Sequence, residues 1–173
     1  MDGTLLNSQK KISKATLEAI NKAFNAGKEV VLCTGRCIPE LQEYIEQIKD
    51  LRYIIGISGA LVYDLKEKKE IYINKIPENQ VDIIFDAIEG VDVLPHVLSE
   101  KSLVQKGQME NMEYYGMGAY KPLFEKVATP VDNIAEYSIK NKVDVLKLNL
   151  YHAFQEDREK TRKKLEKENF VMV

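Results

Sequence analysis

Three short stretches carry side chains suited to chemistry on an anion. Thr34-Gly35-Arg36 follows one apolar run and precedes another. A threonine hydroxyl and the backbone N–H groups at a glycine can surround an anionic oxygen, and a nearby helix N-terminus favours negative charge. Arg36 suits pairing with a phosphate or a carboxylate. Asp2-Gly3-Thr4 puts a carboxylate, a residue free to adopt positive φ and a hydroxyl into one tight loop. Ser58-Gly59-Ala60 is a third small-residue break. Each has a plainer reading. Asp-Gly is a common turn dipeptide. Thr34-Gly35 also suits a loop that only caps a helix, Arg36 a structural salt bridge, and Ser-Gly-Ala close packing at a strand end.

The surrounding elements decide whether these stretches meet. Ser13 is placed to cap a helix whose apolar residues Leu17, Ile20, Ala23 and Phe24 recur at helical spacing, and Gly27 is placed to end it. Val30-Val31-Leu32-Cys33 is short, apolar and rich in β-branching, the pattern of a strand buried on both faces. Pro39 suits the first turn of a second helix with Leu41, Tyr44, Ile45 and Ile48 inward. Tyr53-Ile54-Ile55-Gly56-Ile57 is a second apolar strand. Residues 13–57 therefore read helix, strand, helix, strand: the βαβ grammar of an open parallel sheet, where ligands sit outside the carboxyl ends of strands. Thr34-Gly35-Arg36 and Ser58-Gly59-Ala60 fall at such ends, and Asp2 would too if a strand preceded it. Asn7 to Ile12 is polar and basic and is expected at the surface.

After residue 60 the grammar changes. Leu61-Val62-Tyr63 and Ile71-Tyr72-Ile73 flank a charged turn, as a hairpin would. A domain boundary is expected near Pro77, giving 1–77 and 78–173. The second part reads as an α+β module. It has a helical stripe at Val81, Ile84, Phe85 and Ile88 ended by Gly90 and antiparallel strands over 91–97 and 102–104. A short helix is expected at 109–115 and another at 134–138. An alternating strand over 143–151 leads to a charged helix over 155–168 with Thr161 and Leu165 inward. Phe170-Val171-Met172-Val173 reads as a last strand.

Composition narrows the function. The chain has 173 residues, 45% hydrophobic and 30% charged, with a net charge of −2. There is no basic field to draw nucleic acid or anionic lipid, and no apolar run approaches a membrane span. The N-terminus shows no apolar stretch behind positive charge, so a cytoplasmic location is expected. Cys33 and Cys37 are the only cysteines. Without nearby ligands they make a poor zinc site and read as reduced thiols, Cys33 in the core. His96 and His152 lack ligand spacing and read as surface or packing residues.

Taken in order, Asp-Gly-Thr-Leu-Leu, a capped helix, a strand ending in Thr-Gly-Arg, a strand ending in Ser-Gly-Ala, a hairpin and an inserted α+β module resemble the haloacid dehalogenase-like hydrolases. More narrowly, they resemble the Cof-type sugar-phosphate phosphatases, whose large cap is inserted after the third core strand. The resemblance implies a fold of α/β class, a partial Rossmann-like parallel-sheet core with an inserted α+β cap. It implies hydrolysis of small phosphorylated metabolites, such as sugar phosphates, through an aspartyl-phosphate, with Mg2+ as cofactor. Asp2 matches the general acid and base, whose backbone carbonyl also binds the magnesium ion. Thr34 and Gly35 match the residues that hold a phosphoryl oxygen, and Arg36 a position near them. Ser58 and Gly59 fall in a substrate-facing loop where the family usually has Asn in place of Ser58.

Two departures shape the expectation for this chain. The family's nucleophilic Asp stands two residues before the position of Asp2, but here Met1 is the first residue. The family's later lysine and Gly-Asp-x-x-x-Asp magnesium loop do not appear either. The chain is thus expected to be truncated at both ends, with its first core strand missing and its cap incomplete, and to be inactive alone. The alternative is a non-catalytic module that binds phosphoryl ligands. The substrate and the oligomeric state are not readable.

Overall fold

The computed structural model describes residues 1–168, Phe170 and Met172. Val171 and Val173, half of the expected last strand, lie outside the described residues. The chain divides into two compact units, Met1–Asn74 and Lys75–Val173.

In the first unit, Ser13 accepts the Thr16 N–H at 3.1 Å and opens α1, Lys14–Asn25. Gly27, at φ +70°, lets the chain turn away from its end. Strand β1, Val31–Cys33, leads through a 3-10 turn at Ile38–Leu41 into α2, Gln42–Gln47, and then β2, Tyr53–Gly56. β1 and β2 pair in parallel. β3, Leu61–Asp64, and β4, Lys69–Ile73, complete the sheet as an antiparallel hairpin, in the order β1-β2-β3-β4. The hairpin turn is tied by Asp64, whose carboxylate accepts the Lys66 and Glu67 N–H groups at 2.9 and 3.0 Å and the Arg52 guanidinium at 3.0 Å.

The core of this unit joins Leu32, Leu41, Tyr44, Ile48, Leu51 and Ile54 to Leu6 and Ile12. A buried leucine or isoleucine side chain contributes about 1.5–3 kcal/mol, so the opening segment is anchored rather than loose. Ile12 corrects the expectation that 7–12 lies wholly at the surface. β1 corrects another. Only Leu32 faces this core; Val31 is 40% exposed and Cys33 is exposed as well. β1 is an edge strand, and among the described residues nothing covers its second face. The buried cysteine is Cys37, whose thiol is pushed up to about 12 by burial beside Glu40.

In the second unit, α3, Glu78–Ile88, is followed by β5, Val93–Leu98, and β6, Ser102–Gln105. Next come α4, Lys106–Glu110, α5, Lys121–Val127, and β7, Thr129–Val131. The unit closes with α6, Ile134–Lys140, β8, Lys147–His152, and α7, Gln155–Leu165. The strand order is β7-β6-β5-β8. β5 pairs antiparallel with both β6 and β8, but β6 and β7 run parallel, so the sheet is mixed rather than purely antiparallel. β5 is buried along its whole length because both faces are covered. Val97 and Leu103 pack with Val81, Phe85 and Ile134. Leu94 and Val104 pack with Met112 and Phe124. Leu165 of α7 packs against Ile84 and Ala87 of α3.

His96 is a core residue of this unit, 2% exposed, with Nε2 at 2.7 Å from Ser102 Oγ and its ring 4.6 Å from that of Phe124. Burial pushes its pKa down to about 3, so it packs as a neutral ring. His152 bonds to Thr161 Oγ1 at 2.9 Å. Among the described residues no helix is long and apolar enough to cross a membrane.

Candidate active site

The site starts where β1 and β2 stop. Thr34 N–H donates to Ile55 O at 2.9 Å, carrying the parallel ladder one step past Cys33. Two further backbone bonds then lace the strand-end loops together. Ser58 N–H donates to Thr34 O, and Ile57 N–H to Arg36 O, each at 3.0 Å. Within the first loop, Arg36 N–H donates to Thr34 Oγ1 at 3.3 Å. The approach depends on Gly56: a Cβ there would lie 3.2 Å from the Arg36 carbonyl oxygen. Ile57, Ser58 and Gly59 follow at φ +50°, +55° and +97°, a run of left-handed residues that reverses the chain into β3. Two of the three are not glycine, which is a costly conformation.

The opening loop is a compact turn. Met1 O accepts the N–H groups of Thr4, Leu5 and Leu6 at 3.2, 3.0 and 3.1 Å, and Gly3 takes φ +68°. Asp2 projects its carboxylate between two cations. Lys10 Nζ lies 2.6 Å from Oδ1, and Arg36 Nη2 lies 3.2 Å from Oδ2. The hydrogen bond from Lys10 holds the Asp2 pKa below its ordinary value; partial burial opposes this and Arg36 reinforces it. The Arg36 side chain is only 12% exposed, with its Cζ 5.5 Å from the centre of the Tyr44 ring. Burial works against its charge, but Tyr44 and Asp2 outweigh burial and its pKa rises. Its buried Nη1 has no hydrogen-bond partner among the described residues. That leaves a cationic donor beside the loop without a protein acceptor.

The six residues singled out from sequence thus lie on one edge of the first unit. Asp2 and Arg36 touch. Thr34, Arg36 and the Ser58 loop are joined by backbone bonds. Gly35 is exposed between them, and Gly59 adjoins Ser58. A groove of about 750 Å³ lies at the other end of the strands, beside Glu29, Leu51 and Arg52, and none of the six lines it. Sequence reasoning missed Lys10, Tyr44 and Gly56. Gly56 had a signal, a glycine at a strand end; Lys10 had none, since nothing in a polar run marks which lysine turns back.

A model of the haloacid dehalogenase-like hydrolases matches residues 1–172. The chain belongs to the haloacid dehalogenase-like hydrolase family. The putative phosphatase YxeH of Bacillus subtilis (strain 168) is 40% identical to it over 65 residues, 36% of this chain and 24% of that protein. The structure of a haloacid dehalogenase-like hydrolase from B. subtilis matches with a TM-score of 0.76 at 20% identity, covering 95% of this chain and 64% of that one. The HAD subclass IIB sugar phosphatase BT4131 matches with a TM-score of 0.70 at 22% identity, covering 96% of this chain and 60% of that one. At these identities the two structures speak for the fold alone. This hydrolase-family chain spans less than two thirds of each of these relatives.

Magnesium takes oxygen ligands in a near-octahedral set. Among the described residues no group of three His, Cys, Asp or Glu could hold a metal. The Asp2 carboxylate at this edge already faces two cations. These residues on their own do not fit the ion.

Proposed function

We propose that this chain carries part of the phosphoryl-transfer site of a phosphatase acting on small phosphorylated metabolites such as sugar phosphates. One observation supports this most. Asp2, Thr34, Arg36 and the Ser58 loop, far apart in sequence, converge on one sheet edge around a buried guanidinium with an unused donor. In this reading Thr34, Gly35 and Arg36 receive the phosphoryl oxygens, and Ser58 and Gly59 face the substrate. The second unit is the cap that selects the metabolite.

Asp2 is the proton-transfer residue. In the first half-reaction a carboxylate nucleophile forms an aspartyl-phosphate, and Asp2 gives its proton to the departing alkoxide. In the second, Asp2 takes a proton from the water that hydrolyses that intermediate. Without ligand, Lys10 and Arg36 keep Asp2 ionised, which is the base form. A phosphoryl group entering beside Arg36 brings negative charge close to Asp2 and raises its pKa, the direction a general acid requires.

In this reading Asp2, the carboxylate brought to this edge, serves proton transfer and not attack, so the isolated chain is predicted to lack turnover. Purified chain should leave p-nitrophenyl phosphate intact with or without magnesium. Magnesium-dependent hydrolysis abolished by Asp2→Ala would overturn that prediction. A second reading, a module that binds phosphoryl ligands without turning them over, needs only the Arg36 donor and the laced strand-end loops. Calorimetry against a panel of sugar phosphates tests it, and the absence of heat across the panel would rule it out.

A further inference from the structure

We infer that Lys10 is a second cation for the phosphoryl group, and that Tyr44 is the positioning residue that holds both Lys10 and Arg36 in place. This rests on the proposed phosphoryl-binding edge and adds to it two residues of the described structure.

The turn that carries Lys10 is built around its presentation. Asn7 N–H donates to Lys11 O at 2.9 Å, and Lys10 N–H donates to Asn7 O at 3.0 Å. The Asn7 side-chain Oδ1 accepts the Gln9 and Lys11 N–H groups at 2.9 and 3.0 Å. Within this knot Lys10 takes φ +59°, a left-handed conformation that disfavours a long L side chain. Lys68 and Lys142 take the same conformation in other turns, so the contacts of Lys10, and not its φ, set it apart. Here the result is that Nζ reaches Asp2 Oδ1 at 2.6 Å, from the side opposite Arg36.

Tyr44 connects the two cations. Its hydroxyl donates to Lys10 O at 3.1 Å, fixing the strained peptide from outside the turn. Its ring lies against the Arg36 guanidinium, 5.5 Å from centroid to Cζ. Tyr44 is itself 7% exposed and packed in the core. One immobilised side chain therefore sets the positions of both groups that grip Asp2. Two cations face the one Asp2 carboxylate, an arrangement that suits a dianionic phosphate monoester. The Lys10 side chain is half exposed, so its ammonium can bond a ligand without leaving the loop.

The test is calorimetric titration of the chain with glucose 6-phosphate, alongside Lys10→Met, Lys10→Arg and Tyr44→Phe. Lys10→Met should weaken binding about two- to fivefold, the value of one exposed charge contact, while Lys10→Arg restores most of it. Tyr44→Phe keeps the ring over Arg36 and removes the hydroxyl, and with it the bond to Lys10 O and the hydroxyl's support of the Arg36 charge. It should weaken binding by about half as much on a logarithmic scale, and it should move the Lys10 amide resonance while leaving those of β2 to β4 in place. Unchanged affinity in Lys10→Met, with the parent chain binding, overturns the role of Lys10. Equal loss in Lys10→Met and Lys10→Arg does the same. An unmoved Lys10 amide in Tyr44→Phe overturns the role of Tyr44. Absence of binding by the parent chain overturns the phosphoryl-binding edge itself, and is thereby told apart from failure of the Lys10 assignment.

Discussion

Replacing Ser58 tests whether the loop after β2 is held in a costly backbone state for the sake of the site. Ser58 sits at φ +55°, between Ile57 at +50° and Gly59 at +97°. An L-residue in this region costs about 1–2 kcal/mol, less for asparagine and nothing for glycine. Ser58→Gly releases that strain but adds about 0.5–1 kcal/mol of backbone entropy to lose on folding. The difference predicts a net gain of about 0.5–1 kcal/mol. Ser58→Asn, the residue usual in the family at this position, keeps the backbone stiff and tolerates positive φ, so it should gain a few tenths of a kcal/mol or more. Ser58→Ala is the control: it removes the hydroxyl and keeps the strain. The backbone bond from Ser58 N–H to Thr34 O survives in all three. Urea unfolding, followed by an amide resonance of the first unit, gives the four stabilities. The expected order is Gly and Asn above Ser, with Ala at the bottom. If Ala equals or exceeds Gly, the left-handed backbone is not what costs energy at this loop, and the strain argument fails.

Two predictions concern pH. His96 is neutral and buried, with a pKa near 3 against an ordinary value of 6.5. Because its folded pKa is depressed, the unfolded chain binds the proton first as pH falls. Stability of the second unit should be intact above 6.5 and fall by about 1.4 kcal/mol per pH unit on the way down toward 3. A His96→Gln chain that shows the same slope in denaturant titrations would contradict this. Asp2 also has a depressed pKa, set first by the Lys10 hydrogen bond. Its stabilising contribution should be present above its ordinary value of 3.8 and lost as pH falls through the lower folded value. Urea midpoints of the wild type and Asp2→Asn, measured across pH, should therefore differ above 3.8 and converge below the lower folded value.

How much of this was legible in the sequence varied with the kind of signal. Periodicity marked α1, α3 and α7 well, and the βαβ order together with the hairpin placed the first sheet. Burial was harder. Val30 to Cys33 has the composition of a strand covered twice, but coverage depends on neighbours that composition does not show, and Val31 and Cys33 are exposed. β7 escaped because Pro130 argues against a strand; the structure puts it at a sheet edge, where a missing N–H is tolerated. α5 escaped because it buries only Phe124, too little for a stripe, although Pro122 in its first turn was a usable start signal. At the site, the strand-end loops were readable as residue types in order. Lys10 and Tyr44 were not, because a single ion pair across a turn and a ring against a guanidinium leave no pattern in one sequence.

The parallel pairing of β1 with β2 also bears on the order in which the first unit assembles. Tyr53 meets Asp64 across a short turn, but it meets Val31 only after a whole crossover with α2 has been closed. Closing the smaller loop costs less entropy, and local contacts form sooner. The hairpin of β2, β3 and β4 is then expected to form first, with β1 docking onto it later. Since Thr34 and Arg36 take their places only through β1, the edge proposed to bind phosphoryl groups is predicted to form last in the unit and to open first.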